Sequence, residues 1–92
     1  MALFMVLEWF RTPGAVAVYR RARDSGRMLP DGVSYVSSWV DLGFTRCFQL
    51  MEAPSAAALE PWIEKWSDLV EFDVIPVRTS ADATEAIRSR LG

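Results

Sequence analysis

The chain has 92 residues, of which 51% are hydrophobic and 24% charged. This is the composition of one small globular unit, residues 1–92, rather than of a disordered segment. Its formal charge of −2, its single cysteine and its lack of histidine exclude an evident polyanion binder, an intrachain disulfide, CxxC sites, Ser-His-Asp and Cys-His catalytic arrangements, His-ligated haem and zincin motifs.

Residues Leu3 to Phe10 are rich in β-branched and aromatic types and predict a strand. Thr12-Pro13-Gly14 breaks the chain after it. Ala15 to Ser25 predicts a helix, with Val18, Tyr19 and Ala22 on one face and Arg20, Arg21, Arg23 and Asp24 along much of the other. Gly26 suits the position that ends it. Val33 to Val40 and Thr45 to Glu52 read as two strands joined by a short Asp41-Leu42-Gly43 turn, a hairpin.

Ser55 is a reasonable helix cap. Leu59, Trp62, Ile63 and Trp66 then fall at i, i+3, i+4 and i+7, the clearest helical stripe in the chain. Pro61 implies either a kink or a helix that begins near it. Val70 to Val77 predicts a fourth strand, with Pro76 favouring an edge or a strand end. Ser80 is placed to cap a last helix through Ala83, Ile87 and Leu91. The order is βαββαβ plus a terminal helix, the α+β ferredoxin-like arrangement of a four-stranded antiparallel sheet with two helices on one face.

These strands do not alternate cleanly between apolar and polar. The first offers Leu3, Met5, Leu7 and Trp9 on one side and Phe4, Val6, Glu8 and Phe10 on the other. Two helices cover only one face, so the remaining face is an apolar patch that predicts a homodimer through the sheet.

The string Gly26-Arg27-Met28-Leu29-Pro30, with Tyr35, Ser38-Trp39, Arg46-Cys47-Phe48-Gln49-Leu50-Met51-Glu52, Trp62, Trp66-Ser67-Asp68-Leu69, Phe72 and Pro76-Val77, resembles a small bacterial family known as a domain of unknown function. The resemblance covers roughly residues 1 to 80. That family is similar to the dimeric α/β-barrel superfamily, whose members include stress-responsive barrel proteins and antibiotic-biosynthesis-type monooxygenases. The resemblance implies a fold and a dimer but no assigned activity. Haem-degrading and nickel-binding relatives rely on histidine, so neither chemistry carries over, and no cofactor or metal is expected.

In such barrels the cavity lies between helices and sheet or inside the paired sheets, and strand register decides which side chains reach it. One phase puts Val36, Val40, Phe48 and Leu50 against the helices and Tyr35, Ser37, Trp39, Cys47, Gln49 and Met51 on the opposite face. It is favoured because it turns the aliphatic set inward; the other phase of the third strand swaps its two faces.

Each candidate ligand-binding residue has a plainer role beside it. Gln49 is a ligand anchor or a cross-interface hydrogen bond. Tyr35 and Trp39 are aromatic walls or packing. Cys47 lacks a histidine base and has the default of a small buried hydrophobe. Glu8 either pairs with an arginine such as Arg46 across the sheet or lies in a cavity with a raised pKa. Ser37 and Arg46 complete the set. Arg11, Arg20, Arg21, Arg23 and Arg27 form a basic stretch that either binds an anionic ligand or, as the default, is a solvated helix face.

The expected function is a small homodimeric protein that binds a small molecule beside the sheet. The alternative is a cofactor-independent monooxygenase- or isomerase-like enzyme acting on a small aromatic or polyketide-like substrate. The topology is shared with RNA-recognition domains, but Arg46 to Met51 lacks the glycine–aromatic spacing that stacks bases, so no nucleic acid is expected. The apolar N-terminus stops at Glu8 without a basic leader, and no run reaches ~20 apolar residues, so a soluble cytoplasmic protein with no membrane contact is expected.

Overall fold

The structure, a computed structural model, describes residues 1–92. Its elements are β1 (Ala2–Phe10), α1 (Ala15–Ser25), β2 (Ser34–Val40), β3 (Arg46–Ala53), a 3-10 turn (Ala56–Leu59), α2 (Glu60–Trp66), β4 (Val70–Val77), α3 (Ser80–Ile87) and a last 3-10 turn (Arg88–Arg90). The four strands form one sheet in the order β2-β3-β1-β4, and every neighbouring pair is antiparallel. This is the ferredoxin-like βαββαβ arrangement with a C-terminal helix. No helix is long and apolar enough to cross a membrane.

Local chemistry sets the boundaries. Gly26 ends α1 at φ 68°, in the left-handed region that favours glycine, and its N–H donates to the Ala22 carbonyl at 2.8 Å. Pro61 causes no kink, because it sits in the first turn of α2, where a missing N–H costs nothing. Ser55 caps the preceding 3-10 turn by accepting from the Ala58 N–H. The last helix is capped by Thr79 and not by Ser80: the Thr79 hydroxyl accepts from the Asp82 N–H at 3.0 Å.

Asp41 holds the β2–β3 hairpin. Its carboxylate accepts from the Thr45 N–H at 2.8 Å, the Arg46 N–H at 2.7 Å and the Thr45 hydroxyl at 2.6 Å. Those hydrogen bonds, led by the Thr45 hydroxyl, hold its pKa down at about 2.

The helices α1 and α2 cover one face of the sheet. Phe4 and Val6 of β1 and Met51 and Ala53 of β3 pack there against Leu59, Trp62 and Trp66. Trp62 meets Phe72 of β4 edge-on, with ring centroids 5.4 Å apart. Arg21 of α1 clamps the end of α2: it donates to both carboxylate oxygens of Asp68 at 2.7 Å and to the Lys65 carbonyl at 2.9 Å.

Strand phase differs from the favoured reading. Cys47, Gln49 and Met51 face the helices, whereas Phe48 and Leu50 lie on the open face. In β2 a bulge falls between Tyr35 and Ser37: Tyr35 pairs with Met51 and Ser37 with Leu50, which leaves Val36 as the extra residue. The bulge shifts side-chain parity by one. Tyr35, Ser38 and Val40 therefore share the covered side, while Ser37 and Trp39 lie on the open side, opposite Leu50 and Phe48. Val36, expected against the helices, is exposed.

Candidate functional site

Between the helices and the sheet lies a cavity of about 200 Å³. The sheet contributes Glu8 and Phe10 from β1, Ser38 and Val40 from β2, and Cys47 and Gln49 from β3. Val18, Tyr19 and Ala22 of α1, Arg27 just beyond it, and Trp62 and Trp66 of α2 close the other side. The walls are mostly apolar and aromatic, with a few polar groups among them, the usual make-up of a small-molecule site.

Glu8 is the unusual member. The alternation of β1 turns it inward behind Phe4 and Val6, and it is only 7% exposed. One carboxyl oxygen, Oε2, is buried with no hydrogen-bond partner. Burial pushes its pKa up to about 7, against a smaller lowering by the charge of Arg27. At neutral pH this carboxyl is thus divided between its acid and carboxylate forms. The expected Glu8–Arg46 pair does not form. The β1–β3 register sets Arg46 opposite Trp9, on the open face, where its guanidinium lies 5.1 Å from the Phe48 ring centroid.

The register sets Cys47 directly opposite Glu8. Its thiol is buried and its pKa is pushed up to about 12 by burial first and then by the charge of Glu8. It carries its proton at neutral pH, which removes the thiolate a nucleophile needs. Gln49, also 7% exposed, donates from Nε2 to the Met51 sulfur at 3.2 Å, a weak acceptor. Because Gln49 faces the helices, a hydrogen bond across the open sheet face is not available to it.

Arg27 and Tyr35 form the neighbouring polar group. The Arg27 guanidinium stacks 3.6 Å from the Tyr35 ring centroid, and the Tyr35 hydroxyl and Ser38 Oγ are 2.7 Å apart in a hydrogen bond. The Arg27 carbonyl accepts from the Trp66 indole N–H at 3.0 Å, which ties the end of α1 to α2. Tyr19 closes a chain of edge-on aromatic contacts from Phe10 to Phe44, with centroids 6.5 and 6.3 Å apart.

Of the residues singled out in the sequence, the structure brings Glu8, Cys47 and Gln49 together at the cavity. Tyr35 stands beside it through Ser38 and Arg27. Ser37, Trp39 and Arg46 lie on the opposite face, and Trp39 is 55% exposed. Sequence reasoning missed Ser38, placed Arg27 only within the basic stretch, and read Trp62 and Trp66 only as core. Tyr19 carried a signal: it sits on the inward face of α1 and has a polar tip. Ser38 carried none, because only the bulge at Val36 turns it inward. The basic stretch is mostly engaged: Arg21 with Asp68, Arg23 with Asp24, and Arg11 with the Ser67 carbonyl. No cluster of three or more histidine, cysteine or acidic side chains converges to hold a metal.

Fold and cavity together define a ferredoxin-like α+β protein with an aromatic-walled pocket under its two covering helices. Residues 2–91 match the family model described as Domain of unknown function (DUF3303), and the chain belongs to that family. No curated protein and no solved structure matches it.

Proposed function

We propose that the protein binds a small, largely apolar molecule in the cavity beneath α1 and α2, and that Glu8 meets the ligand's hydrogen-bonding group. The observation that carries this reading is the buried Glu8 oxygen without a partner at the cavity wall. A shift from 4.5 to about 7 corresponds to about 3 kcal/mol of unfavourable burial above neutral pH. A carboxyl held at such a cost without a partner inside the chain is suited to a partner from outside it. The volume limits the ligand to a compact molecule, and the aromatic side chains of Trp62, Trp66, Tyr19 and Phe10 in the lining favour a largely apolar one.

The test is a titration of the protein with phenol, indole and benzaldehyde, following the indole N–H resonances of Trp62 and Trp66. Saturable shifts that weaken at least tenfold in Glu8→Gln are expected. Absence of any saturable shift, or equal affinity in the variant, contradicts the reading.

A second reading rests on the same carboxyl. A pKa of about 7 lets Glu8 accept and return a proton at neutral pH. This supports an isomerase- or monooxygenase-like enzyme that needs no cofactor and acts on a small aromatic or polyketide-like substrate, with Glu8 moving the proton. Turnover with a pH–rate limb near 7 that disappears in Glu8→Gln distinguishes it from simple binding.

We further infer that two copies pair through the open sheet faces in the manner of a dimeric α/β barrel. Met5, Leu7, Phe48 and Leu50 are only half-buried there, and Trp39 and Ile75 are exposed. A patch of this kind marks an interface. A cytoplasmic setting fits the single free thiol.

A further inference from the structure

The cavity beneath α1 and α2 has one acidic and one basic side chain in its lining, Glu8 and Arg27. They do not pair with each other: the ion pairs of the chain are Arg21–Asp68, Arg23–Asp24 and Arg88–Glu85. Glu8 is buried, whereas Arg27 is exposed to water while it lines the cavity, and so stands at its mouth. The charge of Arg27 still reaches inward, where it opposes the rise that burial causes in the pKa of Glu8 and of Cys47.

An exposed arginine is ordinarily a mobile, solvated charge. This one is held. Its guanidinium carbon lies 3.6 Å from the Tyr35 ring centroid, and the Tyr35 hydroxyl is in turn fixed by Ser38 Oγ. Its carbonyl accepts from the Trp66 indole N–H. The residues on either side of it, Gly26 and Met28, both adopt left-handed backbone, at φ 68° and 60°. Such a φ is strained for methionine and persists only where the surroundings enforce it, here the packing of Met28 against the core. Stacking occupies the face of the guanidinium and leaves its N–H edge. No hydrogen bond within the chain uses that edge: arginine side chains that donate are those of Arg11, Arg21 and Arg23.

A planar fork of donors, oriented in advance at the mouth of a mostly apolar cavity, matches a carboxylate, which it can hold by two parallel hydrogen bonds. One guanidinium balances one negative charge, and Glu8 disfavours a second, so a carboxylate fits better than a phosphate ester.

We propose that the ligand of this cavity is a compact, largely apolar carboxylic acid, with its carboxylate on the Arg27 guanidinium at the mouth and a hydroxyl or similar hydrogen-bonding group at Glu8 inside. This rests on the binding reading above and names the ligand class. The two polar groups that the chain leaves unpaired at the cavity are then met by the two ends of one molecule.

The experiment compares 3- and 4-hydroxybenzoate with their uncharged amides, 3- and 4-hydroxybenzamide, and with phenol. Affinities are read from the Trp62 and Trp66 indole N–H resonances at pH 6, where Glu8 mostly carries its proton. The proteins are wild type and Arg27→Gln. The substitution keeps the carbonyl that Trp66 binds, and an unmoved Trp66 resonance in the free variant checks that the tie survives. One acid should bind at least tenfold tighter than its amide, and this advantage should fall at least fivefold in Arg27→Gln while phenol binds both proteins equally. A smaller advantage, with phenol still saturating, overturns the acid and leaves the cavity reading standing. An advantage that Arg27→Gln lowers by less than fivefold overturns the role of Arg27. Absence of saturable shifts with every compound overturns the cavity reading and this inference with it.

Discussion

On the covered face of the sheet, Phe4, Val6, Met51 and Ala53 are sealed against Leu59, Trp62 and Trp66. One residue along the same strands, Met5, Leu7, Phe48 and Leu50 keep part of their surface in water. The open face is nearly as apolar as the covered one, and the covered face holds the buried polar side chains, Glu8 and Gln49. Hydropathy alone would assign the two faces the wrong way round at β3. The difference teaches that helix cover, and not side-chain polarity, decides which groups are buried, and that polar groups kept under the cover mark the site.

The largest effect expected on this contrast comes from truncating neighbours on opposite faces. Met51→Ala leaves a cavity in the sealed core and should cost about 2–5 kcal/mol of stability in denaturant unfolding. Leu50→Ala, the adjacent residue on the open face, should cost well under half of that in the monomer. Equal losses would break the contrast.

Glu8→Gln sharpens it at the polar end. The native pKa of about 7 lies above the value of 4.5 expected when unfolded. The carboxyl therefore costs nothing below pH 4.5, and its penalty grows as pH rises to 7 and then levels off. The variant should be about 3 kcal/mol more stable than wild type at pH 8 and equal to it at pH 4, as read by urea unfolding at the two pH values. A variant that is destabilised at pH 8 would show that Glu8 has a partner.

The smallest effect concerns the hairpin that fixes the register of β2 on β3. Asp41 has a native pKa of about 2, below its ordinary 3.8, so its contribution is present above pH 4 and is lost as pH falls through 2. Asp41→Ala should lower the thermal midpoint at pH 7, by an amount that shrinks below pH 4 and is mostly lost at pH 2. A difference as large at pH 2 as at pH 7 would mean that the carboxylate is not the source.

Much of the fold was legible in the sequence. The bounds of α1 and β4 match their predicted ranges, since Thr12-Pro13-Gly14, Gly26 and the flanks of Val70–Val77 punctuate the chain where periodicity changes. The stripe from Leu59 to Trp66 was legible as the most buried helical face. Strand phase was not, for two physical reasons. The bulge at Val36 inserts one unpaired residue with no glycine to announce it, so Tyr35 and Val40 share a face despite their odd spacing. In β3, Phe48 and Leu50 are more apolar than Cys47 and Gln49, and the core rule turned the wrong pair inward. Local rules fail where a site requires polar groups inside, and both failures fall on residues that line or adjoin the Glu8 cavity.

The central claim is that Glu8 lies in a cavity with a carboxyl that the chain itself leaves unpartnered. A carbon-13 titration of the Glu8 carboxyl, in protein labelled at glutamate, tests it most directly. The account predicts a midpoint near 7 that moves when phenol or indole saturates the cavity. A midpoint near 4.5, unmoved by either compound, would contradict it.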